Sequence, residues 1–228
     1  MPSPEDEIAH KTGVLLQKAG LRKIPAVDHI SNLIIAAISI FPEPVAQALA
    51  SLMGSYIPKA KDERLLDFVE SLAQDVERVK GQIKADLIHQ DQFAFVLEKT
   101  FRGVLDNYQK DKIDAYRAVF INALINKDSL CDEEQEIFLK ILDNFTVRHL
   151  RILAVLNMRH RDRSDLFDVI TEYNPGYDKE SIIYVMEDLR NHGLVHPKGT
   201  VMSFEMNANY NQLTPMGKKF VSFISLET

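Results

Sequence analysis

Cysteine is almost missing from this sequence, since Cys131 is the only one among 228 residues. A single cysteine cannot form an intrachain disulfide, and it excludes a cysteine-rich zinc or iron–sulfur site. Residues 1–7 are acidic where a secretory signal would be basic, and no small-residue cleavage site follows an apolar run there. These features predict a cytoplasmic protein in a reducing compartment.

The sequence motifs of common enzymes are also missing. The chain contains no GxGxxG, GxxxxGK[S/T] or GxSxG run, and its seven histidines form no pair at helical spacing within a predicted helix. Cys131 lies in an acidic segment, which makes it a poor nucleophile. We therefore predict a protein that is not an enzyme and that needs neither a cofactor nor a metal ion.

No part of the chain has a surplus of basic residues. The net charge is −6, and the excess of acids is concentrated in residues 128–143. Nucleic-acid binding normally uses a local surplus of lysine and arginine, so any phosphate contact would need local clustering. We interpret the acidic segment as the start of a helix, where acids are favourable, with a docking patch for a basic partner as the alternative.

Residues 28–57 are nearly free of charge and predict an apolar helical hairpin. Pro42 and Pro44 divide this stretch into two halves, and each half is shorter than the roughly 20 residues that span a bilayer. We expect the hairpin to be buried within a helical domain, without stable membrane insertion. The alternative is a membrane-active helical effector that releases the hairpin into a bilayer.

A charged and periodic segment follows the hairpin. Apolar residues recur with spacings of four and three, which predicts a long heptad helix over residues 62–86 that packs along a partner helix in the same chain or in a homodimer. The residues of this seam are Leu65, Val69, Leu72, Val76, Val79 and Ile83. Asp91, Asp111 and Asp132 predict the caps of further helices to residue 143. Residues 1–145 would form this helical domain.

Residues 146–228 predict a second domain with a different element order. Three helices are expected over residues 146–156, 164–173 and 178–191, with a tight turn at 174–177 in a helix-turn-helix arrangement. A β-hairpin would follow around residues 197–199, with Val201–Met206 in its second strand. Thr214 would cap a closing helix. The predicted fold class is mainly α, with a small α+β domain at the end.

Two runs in this second domain resemble the winged-helix domains of prokaryotic regulators. They are Asp188 to Val195 (DLRNHGLV) and Leu213 to Phe220 (LTPMGKKF), and in those domains a leucine-threonine-x-x-glycine run opens the closing helix. The resemblance implies a winged helix, a fold that serves DNA binding, protein contact and dimerisation alike.

Residues 58–156 resemble a broad group of uncharacterised prokaryotic helical proteins, some of the abortive-infection alpha type. The similarity is carried by the helical pattern from the segment IPKAKDER, which ends at Arg64, to FTVRHL, which ends at Leu150. It implies a link to phage defence.

The third helix of the second domain decides between protein and DNA as its partner. The outer face that we predict for this helix holds four acids against two bases, Lys179 and Arg190, and such a face repels phosphates. The four acids are Asp178, Glu180, Glu187 and Asp188. We therefore expect a protein-interaction or oligomerisation protein, with a DNA-binding transcriptional regulator as the alternative. In that alternative the contacts would come from Lys179, Tyr184, Arg190, Asn191, Lys198, Arg159, Arg161 and Arg163.

Overall fold

The computed structural model describes residues 63–83, 90–125, 130–158, 166–197 and 211–226 of the chain. These residues form eight α-helices and one antiparallel pair of short strands, so the prediction of a mainly helical fold is confirmed for this part of the chain. They fall into two compact units that meet in sequence between Glu136 and Ile137. The predicted apolar hairpin, residues 28–57, lies outside the described residues.

In its described residues, the first unit contains three helices and the start of a fourth. They are α1 (Glu63–Val79), α2 (Gln90–Asp106), α3 (Lys110–Leu124) and α4 (Asp132–Asn144). The middle of the heptad seam of α1 is covered within the chain itself, because α2 and α3 pack against this helix and Val69, Leu72 and Val76 are buried. The seam therefore requires no second copy of the chain.

Helix α1 is shorter than the sequence predicts. The α-helix ends at Val79, and Lys80–Gln82 forms a single 3-10 turn, whereas the heptad pattern predicts a helix to residue 86. Gly81 lies in this turn, and glycine is a weak helix former. At Gly81 the favourable apolar spacing is thus not enough to continue the α-helix.

Helices α2 and α3 pack closely at Gly103. The ring of Tyr116 lies against the Cα of Gly103, where a β-carbon would overlap it. The rings of Phe93 and Phe120 contact each other across the same pair of helices, with 5.6 Å between their centroids. Glycine on one helix and an aromatic residue on the other thus bring these two backbones together.

Apolar residues spaced by three and four predict that Tyr108 continues the buried stripe of α2, but it does not. It is 77% exposed, because the helix ends at Asp106 and the chain turns at Asn107. The side-chain amide of Asn107 donates a hydrogen bond to the carbonyl oxygen of Gly103 at 2.7 Å. This bond satisfies one of the carbonyl groups that a helix leaves open at its end.

The cap of helix α4 lies at Cys131, one residue before the position that the sequence predicts, Asp132. The N–H of Cys131 donates to the carboxylate of Glu134 at 3.2 Å, and the carbonyl oxygen of Cys131 accepts the N–H of Gln135 at 3.1 Å. Cys131 is therefore the residue that precedes the first turn, and Asp132 is already within the helix. The acids of this turn suit the positive end of the helix dipole.

The part of the second unit that the structure describes holds the end of α4, four more helices and a pair of strands. They are α5 (Val147–Met158), α6 (Leu166–Tyr173), α7 (Lys179–Asn191), β1 (Val195–Pro197), β2 (Asn211–Leu213) and α8 (Pro215–Phe223). Aromatic rings make up much of its core: Phe138 of α4 contacts Phe220 and Phe223 of α8, with centroids 5.4 and 5.9 Å away. Phe145, between α4 and α5, extends this cluster to Phe220.

The strand that pairs with β1 is β2, directly before α8. Val195 lies opposite Leu213 in this antiparallel pair, and Pro197 lies opposite Asn211. The segment predicted as the second strand, Val201–Met206, lies outside the described residues. Pairing at residues 211–213 joins the end of the strands directly to the cap of the closing helix.

Candidate interaction face on helix α7

Helix α7 begins at a strong cap. The N–H of Ser181 donates to the side chain of Asp178 at 2.7 Å, and the Ser181 hydroxyl donates to the carbonyl oxygen of Asp178 at 3.0 Å. The bond from the Ser181 N–H is the main cause that lowers the pKa of the Asp178 carboxyl below its ordinary value, and nearby Arg148 acts in the same direction. The carboxylate therefore stays charged at the positive end of the helix.

The same helix ends at Gly193 in the left-handed conformation, with φ of 71°. The N–H of Gly193 donates to the carbonyl oxygen of Arg190, and the N–H of Leu194 donates to that of Leu189 at 3.0 Å. This pair of bonds is the Schellman motif, for which glycine is the favoured residue. The ends of α7 are thus fixed by local interactions on both sides.

The buried side of α7 is apolar, as the sequence predicts. Ile182, Val185, Met186 and Leu189 are buried, while Ile183 is only half-buried. Their spacing of three, one and three residues gives the helix a single core-facing side. The opposite side is therefore the part of α7 that solvent reaches.

The exposed side of α7 is a stripe of four residues, which we call the outer stripe. It consists of Glu180, Tyr184, Glu187 and Asn191. Successive members are four, three and four residues apart, so they follow one face of the helix. Tyr184 lies between the two carboxylates and is 68% exposed. The stripe holds two acids, an aromatic ring and an amide, but no base.

The two basic residues predicted as DNA contacts on α7 lie beside this stripe. Lys179 is exposed, and its Nζ lies 5.4 Å from the centroid of the Phe167 ring on α6. Arg190 is half-buried, and its Nε is not accessible to solvent. Of the other candidates, Tyr184 and Asn191 belong to the outer stripe. Lys198, Arg159, Arg161 and Arg163 lie outside the described residues.

Asp188 does not belong to the outer face, contrary to the expectation from sequence. Its carboxylate Oδ2 lies 3.0 Å from Nε2 of His149 on α5, and its Oδ1 lies 3.4 Å from Nδ1 of His192. The carbonyl oxygen of Asp188 lies 2.9 Å from the same Nδ1 of His192. The acid is therefore used to join α7 to α5, and it does not add to the charge of the outer stripe.

His149 is the buried centre of this polar cluster. Its Nδ1 accepts the N–H of Thr146 at 3.2 Å and lies 2.8 Å from the Thr146 hydroxyl. Because a backbone N–H can only donate, we assign the ring proton to Nε2, which then donates to Asp188. The ring of Phe145 stacks on that of His149, with 4.6 Å between centroids. Both ring nitrogens of His149 are thereby satisfied although it is buried.

One part of this cluster, the pair Thr146 and His149, could have been recognised in the sequence from its spacing. Thr146 precedes His149 by three residues, which is the spacing of a capping box, with histidine in the place of the usual glutamate or glutamine. A ring nitrogen can accept the N–H of the capping residue as a carboxylate does. The other partner of His149, Asp188, is 39 residues away in the sequence, and no local pattern predicts that the two residues are in contact.

Two further features, a metal site and a membrane-spanning helix, are absent from the described residues. No group of three or more histidine, cysteine, aspartate or glutamate side chains in this part of the chain could hold a metal ion. No helix within the same ranges is long and apolar enough to cross a membrane.

Comparison with known proteins gives no relative from which to transfer a function. No protein-family model matches the sequence, and neither the curated proteins nor the solved structures contain a significant match. Any function therefore has to be inferred from the residues of the chain alone.

Proposed function

We propose that this chain is a non-enzymatic protein-interaction protein, and that its second unit is a winged helix that contacts a protein through α7. The order of α5, α6, α7, the strand pair and α8 supports the winged-helix assignment. The partner is another protein or a second copy of the chain. The setting that the resemblances imply is prokaryotic regulation or defence.

The observation that carries this proposal is the composition of the outer stripe. In a DNA-binding helix-turn-helix the outer residues of the third helix enter the major groove, between two phosphate backbones. Glu180 and Glu187 are exposed there on α7, and their charges would repel those phosphates. An exposed tyrosine in the centre of the stripe is instead a residue type that is enriched in protein interfaces.

A DNA-binding regulator is the second candidate, and three exposed residues favour it. Lys179, Tyr184 and Asn191 are accessible on α7 and have side chains that can bind bases or phosphates. Arg190 would assist them, together with Lys198 in the wing and Arg159, Arg161 and Arg163 on phosphate. This candidate requires that the attraction of these lysine and arginine side chains for phosphate exceeds the repulsion from the two carboxylates of the outer stripe.

A titration with duplex DNA tests the proposal. The full chain is mixed with a random duplex and with the promoter region of its own operon, at several salt concentrations. We expect no specific complex tighter than about micromolar at physiological salt. A tight and promoter-selective complex would establish the regulator instead. Arg190→Ala should then lower selectivity, whereas Lys198→Ala should weaken binding to every sequence alike.

A further inference from the structure

The ring of Tyr184 lies between two carboxylates on a regular helix. Glu180 precedes it by four residues and Glu187 follows it by three, and residues at these spacings have β-carbons about 5–6 Å apart. Neither glutamate has a hydrogen bond or ion pair to any described residue. An aromatic face and two unpaired negative charges are thus presented together to solvent.

The second unit already uses contacts between a cation and an aromatic ring. The guanidinium of Arg148 lies 4.9 Å from the centroid of the Tyr177 ring, and Lys179 lies over Phe167. Such contacts are favourable because the face of an aromatic ring carries partial negative charge. Among the described residues, no cation covers the ring of Tyr184, although it is more exposed than either of those rings.

We infer that Glu180, Tyr184 and Glu187 bind an arginine side chain on the basic surface of a partner protein, which rests on the protein-contact function proposed above. A guanidinium can stack on the tyrosine ring while its planar fork pairs with a neighbouring carboxylate. A lysine ammonium is a compact charge without a planar face, so it can neither stack flat on the ring nor pair with a carboxylate through two parallel N–H donors. The stripe therefore selects arginine over lysine at equal charge.

Charge also distinguishes this partner from two other occupants. A nucleic acid would bring phosphates against Glu180 and Glu187. A two-fold contact of α7 with the same face of a second copy would place these carboxylates opposite their own equivalents, because such an interface joins identical patches. Like charges in close contact oppose association. A basic partner protein is the occupant that neutralises both carboxylates.

Peptide binding tests this inference with the full chain. The probes are a short arginine-bearing peptide and its lysine counterpart, matched in length and net charge and followed by fluorescence anisotropy. We expect tighter binding of the arginine peptide. Tyr184→Ser should lower the affinity for the arginine peptide by about two- to five-fold, so that this peptide no longer binds more tightly than the lysine peptide. Combining Glu180→Gln with Glu187→Gln should make binding of both peptides less dependent on salt.

The matched control is Tyr108→Ser, which removes an even more exposed tyrosine from the first unit and should leave the arginine preference unchanged. Equal binding of the two peptides by the unmodified chain, with no binding of DNA, would overturn the arginine site and leave the protein-contact function standing. Tight duplex binding would contradict that function as well. Self-association that Tyr184→Ser abolishes would identify a second copy as the occupant and overturn the inference.

Discussion

The carbonyl oxygen of Leu194 lies against the Cα of Gly217, where a β-carbon would overlap it. The same oxygen accepts the N–H of Thr214 at 2.9 Å. The Thr214 hydroxyl donates to the carbonyl oxygen of Gly193 at 2.6 Å and accepts the N–H of Gly217 at 2.9 Å. The leucine-threonine-x-x-glycine run thus has a physical reason: threonine caps α8, and glycine lets the helix approach the start of β1.

Gly217→Ala should therefore destabilise the protein. The added methyl group would force the backbone at Leu194 away from α8, and we expect the free energy of unfolding to fall by about 1–3 kcal/mol. Urea denaturation measures this change. Gly81→Ala is the matched control, because no atom lies within 4 Å of a β-carbon at that site, and its effect should stay within about 0.5 kcal/mol. Equal effects of the two substitutions would contradict the close contact.

Substitutions of Asp188 should separate its hydrogen-bonding role from its charge. Asp188→Ala leaves the Nε2–H of His149 without its acceptor, and we expect a loss of about 1–3 kcal/mol in the free energy of unfolding. Asp188→Asn retains an oxygen that can accept this hydrogen bond, so it should cost clearly less. Denaturant unfolding of both variants at neutral pH gives the comparison. If the two losses are the same, the bond to His149 does not contribute to stability.

The cap of α7 should weaken in acid. Since hydrogen bonding lowers the pKa of Asp178 in the folded protein, its contribution to stability is fully present above the unfolded value of about 3.9 and is lost as pH falls through the folded value. Asp178→Asn retains a capping oxygen without the titration. The difference in thermal midpoint between the parent chain and this variant should therefore narrow from about pH 5 to about pH 3. A difference that does not change with pH would contradict this linkage.

We expect the chain to form a homodimer through its second unit, because closed two-fold dimers are the commonest assemblies of soluble chains. The buried seam of α1 gives no reason to place the interface there. Light scattering at concentrations on the order of tens of micromolar should give twice the chain mass of 26.0 kDa. Tyr184→Ser should leave this mass unchanged, since the outer stripe is assigned to a different partner. A monomer mass would disprove the dimer.

The sequence by itself determined where most of the helices of the second unit begin and end. Asp178 caps α7, Gly193 terminates it, and Thr214 with Pro215 opens α8, as predicted. These positions could be read because each depends on hydrogen bonds and backbone preferences within a few residues of the chain. The core side of α7 could be read for a similar reason, since helical periodicity places its apolar residues together.

Only the tertiary structure decided which of these helices contact each other and through which groups. Asp188 looks like an exposed acid in the sequence, but it is half-buried and its carboxylate contacts the buried His149 of α5. The heptad pattern of α1 is compatible with a partner helix in the same chain or in a second copy, and the packing of α2 and α3 against α1 provides the partner within the chain. Likewise, β1 pairs with residues 211–213, directly before α8. Such contacts join residues far apart in sequence, so the packing of whole elements selects them and no local preference can.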